Sequence, residues 1–244
     1  MEQKDMSICI LTLVVGTEYR KHVETASTVR RFYAQKFNYT YIEDYTLYDE
    51  TKAIAWSKIH SIIKNLPNFD YLVLMDADTL IMNLDQTLEE KIEKYGDKDI
   101  FLVSDWEMIN TGVMFIKNTP FSLGFMERLR DEPEMNKGNW EQDSFIKLYQ
   151  ENLHNEKDHI RVLDYRHEKD IQCYWYAYRW GFFILHFCGY RGYPHELPRS
   201  LNKFCMIRLP GELEDSYLAR VKWIKEESYA HITRCVNMGS VLIV

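Results

Sequence analysis

Two aspartates separated by one small residue close an apolar run in the segment LVLMDADTLI, Leu72 to Ile81. Asp76 and Asp78 can together reach a hard divalent cation, Mn2+ or Mg2+, and Ala77 leaves room beside them for the ion and a diphosphate. Such a cation bridges phosphate oxygens and stabilises a departing nucleoside diphosphate. A turn or a helix cap uses the same acidic pair for purely structural ends. A second group, His186-Phe187-Cys188-Gly189-Tyr190-Arg191, follows another apolar stretch. His186 can complete a metal sphere, Gly189 allows close backbone approach to phosphate, and Arg191 can pair with phosphate oxygens. The plainer account is a buried structural histidine and a surface arginine.

Three further groups carry polar chemistry. In Ile109-Asn110-Thr111-Gly112, Asn110 can hydrogen-bond sugar hydroxyls and Gly112 removes a side chain where a ligand must pass, unless the segment is a loop before an edge strand. In Trp140-Glu141-Gln142-Asp143, Asp143 can orient an acceptor hydroxyl or act as its base, or it can simply stabilise a helix N-terminus. Trp56 and Lys58 read as the rim of a helix, with Lys58 either reaching a phosphate or the donor sugar, or solvated.

The elements that must position these residues follow from hydrophobic periodicity. Ser7 to Val15 reads as a central parallel strand, a helix runs from about Thr17 to Phe37, and Tyr39 to Asp44 reads as a second strand, together one βαβ unit. Asp49 or Thr51 is expected to cap a helix with Ala55, Ile59, Ile62, Ile63 and Leu66 on its apolar face, stopped by Pro67. Tyr71 to Met75 is the third strand and delivers Asp76 and Asp78 at its carboxyl end, where open α/β sheets bind ligands. Further strands are expected at Ile100 to Ser104, Gly112 to Ile116 and Phe182 to Phe187, and helices near Phe121 to Arg130 and Trp140 to Gln150. The alternation means an α/β sandwich over residues 1–210. Residues 211–244 read as a helical extension or the start of a linker, with Tyr217, Leu218, Val221 and Ile224 on one face, and the apolar ending Val241 to Val244 points to continuation beyond it.

The 244 residues suit one domain, with 46% hydrophobic and 27% charged residues, so disorder and fibrous repeats are excluded. A net charge of -7 argues against nucleic acid, because a phosphate backbone would meet a repulsive field. A diphosphate remains compatible if a bound cation supplies local positive charge. Ile8 to Val15 is too short to span a bilayer, which needs about 20 residues, so no transmembrane segment is expected. Five cysteines without a CxxC pair favour reduced thiols and a cytoplasmic setting, in which the Asn38-Tyr39-Thr40 sequon is incidental.

In this order, the Trp56-x-Lys58 helix, the Asp76-x-Asp78 strand end, Asn110 to Gly112, Gln142-Asp143 and His186 to Arg191 resemble the galactosyl/mannosyltransferase family 34 of glycosyltransferases, over about residues 7–195. The resemblance implies a GT-A fold, a Rossmann-like nucleotide-diphospho-sugar transferase domain with a mostly parallel central sheet and helices on both faces. It further implies Mn2+ held by Asp76, Asp78 and His186, a UDP-sugar or GDP-mannose donor with the UDP-sugar favoured, and a glycan or other hydroxyl acceptor. Thr12 at the end of strand one, with Tyr41 or Asp44 after strand two, would flank the base and ribose. An inverting member needs a carboxylate base, for which Asp143 and Asp105 are the candidates; a retaining one does not. The chain departs from the family in lacking an anchor, in its small size and in carrying Arg191 where the family has lysine, as a soluble bacterial or viral member would. Two other readings compete. A haloacid-dehalogenase-like phosphohydrolase shares the strand-DxD pattern but normally has a glycine between the second aspartate and the threonine, and a non-catalytic sugar-binding or nucleotide-sugar-binding domain would use the aromatic residues for stacking.

Overall fold

Strand β1 (Ile8–Leu13) is buried along almost its entire length, as an ICILTL sequence must be when helices cover both sides of it. The computed structural model describes residues 6–104, 108–133, 140–164, 167–168, 171–174, 177–188 and 195–237, the last stretch by backbone alone beyond residue 226. Gly16, at φ 97, turns the chain into α1 (Thr17–Phe37), which ends at the left-handed Asn38 before β2 (Thr40–Asp44). A 3-10 turn (Ile54–Trp56) leads into α2 (Ser57–Asn65), and β3 (Tyr71–Met75) and β4 (Thr79–Ile81) flank the acidic pair. Then come α3 (Leu88–Tyr95), β5 (Ile100–Ser104), β6 (Ile109–Lys117), α4 (Pro120–Asp131) and α5 (Glu141–Glu151). The remainder is α6 (Glu156–His159), β7 (Ile160–Asp164), β8 (Cys173–Tyr174), β9 (Ile184–His186), α7 (Leu197–Phe204) and α8 (Glu214–Asn237).

Six strands form the main sheet in the order β2-β1-β3-β6-β5-β7. All run parallel except β6, which is antiparallel to both of its neighbours. Alternation along each strand divides the core in two. Tyr71, Val73 and Met75 meet the inner faces of α1, α3 and α7, while Leu72 and Leu74 meet α2, α4 and α5. A second sheet, β4-β9-β8, stands beside the first and carries the chain from the end of β3 to His186. Among the described residues no helix is long and apolar enough to cross a membrane.

The α/β architecture, mostly parallel with helices on both faces, agrees with the sequence reading. Several local expectations do not. No Asp49 or Thr51 cap precedes α2; Asp49 instead accepts from the backbone and hydroxyl of Thr51 in a local turn, and Ala53 starts the 3-10 turn. Trp56 and Lys58 are not on a rim, being 1% and 4% exposed: Lys52, tied to the carbonyls of Arg130 and Glu132, lies over the Trp56 ring, and Asp76, Thr111 and Glu141 enclose Lys58. Asn110 to Gly112 lie within β6 in the middle of the sheet, not in a loop before an edge strand. The expected Phe182 to Phe187 strand shrinks to Ile184–His186 and belongs to the small sheet. On α8, Leu218 is exposed, and Arg220 takes the inner face instead, donating to the carbonyls of Asn202, Cys205 and Ile207. Periodicity did not reveal α3, although its Thr87/Glu90 capping box is a readable start signal.

Phe101 and Phe115 stack at 4.4 Å between ring centroids across the β5–β6 ladder, and both are fully buried. Phe115→Ala should lower unfolding free energy by about 3–5 kcal/mol, the usual cost of an aromatic cavity. Urea denaturation would show this as a lower midpoint with an unchanged slope.

Candidate metal centre and its supporting charges

The backbone bends sharply after β3. The Asp76 amide donates to the Gly112 carbonyl at 2.7 Å, and the Asp76 carbonyl accepts from the Thr79 amide at 3.0 Å and the Thr79 hydroxyl at 2.7 Å. This turn sends the Asp76 and Asp78 side chains toward solvent, 31% and 21% exposed, and buries Ala77 in the core. Ala77, 4% exposed, belongs to the core cluster with Val73 and Met75 and lies on the buried side of the turn, away from the two carboxylates.

His186 arrives through β9, where it lies opposite Thr79 in the ladder with β4, and the Phe187 amide donates to the Asp78 carbonyl at 3.0 Å. Its Nε2 stands 3.3 Å from Asp78 Oδ1, while its buried Nδ1 has no hydrogen-bond partner among the described residues. Gly112 is what admits the ring: a Cβ there would sit 2.3 Å from His186 Cε1 and 2.9 Å from Nδ1. The space that the sequence assigned to a passing ligand is thus filled by imidazole.

Ligand atoms of Asp76, Asp78 and His186 all lie within 4.8 Å of one another. Burial and the neighbouring Asp78 raise the Asp76 pKa, with Lys58 opposing. Burial would also raise that of Asp78, but His186 outweighs it and holds the carboxyl below its ordinary value. Burial alone would lower the His186 pKa, and the Asp78 carboxylate reverses the sign. Two carboxylates pressed together and an imidazole held by packing form a donor set that fits a hard or borderline divalent cation such as Mn2+ or Mg2+. The repulsion between Asp76 and Asp78 is what such an ion relieves.

Lys58 lies behind the pair, its Nζ 3.2 Å from Asp76 Oδ1 and 2.5 Å from Glu141 Oε1. Burial pulls its pKa down, but the two carboxylates prevail and keep the ammonium charged above its ordinary range. Thr111 joins this network: its hydroxyl donates to Glu141 at 2.9 Å and its amide to Gln142 Oε1 at 3.2 Å. The β5–β6 register jumps from Leu102↔Met114 to Val103↔Asn110, so residues 111–113 lose their β5 partners and swing toward Asp76 and His186. Trp140, at φ 54 and ψ -126, adopts a backbone conformation unfavourable for a residue with a Cβ immediately before Glu141.

The other expected site residues are placed as follows. Asn110 is buried, its side chain donating to the Tyr174 hydroxyl at 3.4 Å and accepting from the Gly112 amide at 2.9 Å. Asp143 is half-buried on the first turn of α5, beside Glu141 and Gln142. Thr12 is fully buried, its hydroxyl without a partner among the described residues. Tyr41 is occupied between Arg30 and Glu43, and Asp44 accepts from Thr46, Tyr48 and Ser61. Asp105, Gly189 and Arg191 lie outside the described residues. Sequence reasoning passed over two residues: Glu141, which was inside a quoted motif but given no role, and Arg30, a charge standing on the buried stripe of α1. A cavity of about 680 Å³ between α1, the 82–85 segment and α8 contains none of this network.

Comparison with known proteins follows the same lines. A family model for nucleotide-diphospho-sugar transferases matches residues 19–193. A glycosyltransferase involved in the glycosylation of the major capsid of PBCV-1 superposes with a TM-score of 0.64 at 17% identity, covering 80% of this chain and 98% of that one. The apo form of the glycosyltransferase GlyE from Streptococcus pneumoniae TIGR4 superposes with a TM-score of 0.54 at 13% identity, over 91% of this chain and 64% of that one. A search of curated proteins finds no match.

Gly112→Ala should cost about 1–3 kcal/mol through overpacking against His186. It should also weaken Mn2+ binding by calorimetry, because the displaced ring no longer faces Asp78. A second expectation concerns acid. Burial raises the Asp44 pKa, but hydrogen bonds from Ser61, Thr46 and Tyr48 overcome this and hold it below the usual value. The stabilisation is therefore present above the ordinary carboxylate pKa of about 3.9 and is lost as pH falls through the lowered value. Asp44→Asn should flatten the acid limb of a stability-against-pH curve; an unchanged limb would show that Asp44 titrates alike in both states.

Proposed function

Because this chain belongs to the nucleotide-diphospho-sugar transferase family and is a GT-A glycosyltransferase, we propose that it transfers sugar from a UDP-sugar to a glycan or other hydroxyl acceptor in a metal-dependent reaction. The observation that carries this reading is the convergence of Asp76, Asp78 and His186 within 4.8 Å at the end of a buried strand. These three residues would hold Mn2+ or Mg2+, which supplies Lewis-acid stabilisation of the departing nucleoside diphosphate.

The chain's own residues do the remaining work. Lys58, charged and locked between Asp76 and Glu141, offers a preorganised positive end beside the diphosphate. Glu141 and Thr111 restrain the lysine, so little ordering is left for the moment of reaction. Asp143, on the same helix turn, is assigned to the acceptor hydroxyl, as its base in an inverting reaction or its anchor in a retaining one. Of the residues assigned to the nucleotide, Thr12 keeps an uncommitted hydroxyl, whereas Tyr41 and Asp44 act through the neighbours that already engage them. Arg191 and Gly189 are assigned to the phosphates on their motif alone, and the order of motifs favours family 34. A cytoplasmic setting rests on the five cysteines without a CxxC pair, which suit a reducing compartment.

A thermal-shift screen of UDP, GDP and their sugars, with and without Mn2+, tests the reading. At ligand concentrations about 100-fold above Kd, UDP with Mn2+ should raise Tm by roughly 5–10 °C, and the response should vanish without metal or in Asp78→Ala. Equal stabilisation by UDP in a chelator would overturn the metal dependence. Metal-dependent phosphate release from a simple phosphomonoester, without UDP-sugar turnover, would instead favour the phosphohydrolase.

A further inference from the structure

Arg30 occupies a stripe of α1 that otherwise holds Val23, Ala26 and Tyr33, and it is fully buried. Burying a guanidinium is expensive, and an apolar side chain of similar volume would pack there at less cost. Nor does a carboxylate balance it directly, since none lies at ion-pair distance among the described residues. Its two terminal nitrogens go to one place. Nη1 reaches the Thr79 carbonyl at 2.7 Å, the Thr79 hydroxyl at 3.3 Å and the Asp76 carbonyl at 3.4 Å, and Nη2 reaches the Ala77 carbonyl at 3.2 Å. Nε donates to the Tyr41 hydroxyl at 3.4 Å, which in turn donates to Glu43 at 3.1 Å, so the buried charge meets a carboxylate only through a phenol.

We propose that Arg30 is a positioning residue for the acidic pair: by drawing the carbonyls of Asp76, Ala77 and Thr79 inward, it forces the Asp76 and Asp78 side chains out toward the cleft. In a tight turn the direction of a carbonyl and that of its neighbouring side chains are not independent, because two dihedrals per residue set both. Asp78's own carbonyl is taken by the Phe187 amide, so every carbonyl from Asp76 to Thr79 has a donor and the turn has no slack. A planar fork is the group suited to this task; an ammonium is a point charge on a flexible stem that cannot span the same acceptors. The inference rests on the reading above only in assigning those carboxylates to a cation.

Arg30→Lys separates geometry from charge, and hydrogen exchange reads the turn without any metal. In Arg30→Lys, amides of the 76–79 turn should exchange at least tenfold faster while those of β1 keep their protection, and Mn2+ affinity measured by calorimetry on the ligand-free protein should fall at least tenfold. Unchanged exchange in the turn, or a loss of protection spread evenly over the sheet, would overturn the proposal. So would a lysine variant that binds Mn2+ like the parent, since charge alone would then suffice. Should the parent bind no Mn2+ at all, the metal reading fails, and the exchange comparison still decides the role of Arg30.

Discussion

Asp76, Asp78 and Glu141 crowd one corner of the protein, and the fold is arranged around keeping their charges tolerable there. Lys58 sits between Asp76 and Glu141, His186 faces Asp78, and Arg30 holds the intervening backbone from inside. Buried ions are stabilising only when nearly every polar atom finds a partner, and among the described residues this corner comes close, leaving Glu141 Oε2 and His186 Nδ1 unsatisfied.

Secondary structure delivers these groups from five separate elements. The end of β3 brings the aspartates, β9 the histidine, α2 the lysine, α5 the glutamate and α1 the arginine. β6 joins them by running antiparallel through the centre of the sheet and then breaking register with β5, so that Thr111 and Gly112 can approach both the lysine network and the imidazole. Gly112 has a packing reason for being glycine, because His186 fills the space a Cβ there would take. Rigid elements of this kind hold polar groups more accurately than loops do.

The buried lysine shows how easily a helical pattern misleads. Trp56 and Lys58 lie off the apolar stripe of α2 when only α2 is considered, and a lysine off the stripe is ordinarily solvated. The end of β3, Thr111 of β6 and the start of α5 enclose the lysine, and Asp76 and Glu141 compensate its charge. Arg30 is the converse: it stood in the buried stripe of α1 from the beginning, a charge in a position where apolar residues belong.

From the sequence by itself came the strands β1, β2, β3 and β5, the long helix α1, the α/β class and the carboxyl-terminal placement of the acidic pair, because these depend on residue periodicity and on the buried character of parallel strands. The late histidine was recognisable as a candidate for the same reason: it follows an apolar strand. What tertiary structure alone decided is which distant groups meet. The separation of Lys58 from Glu141, of Gly112 from His186 and of Arg30 from the Asp76–Thr79 turn is set by how helices and two sheets pack, and no local pattern encodes a distance between residues tens of positions apart.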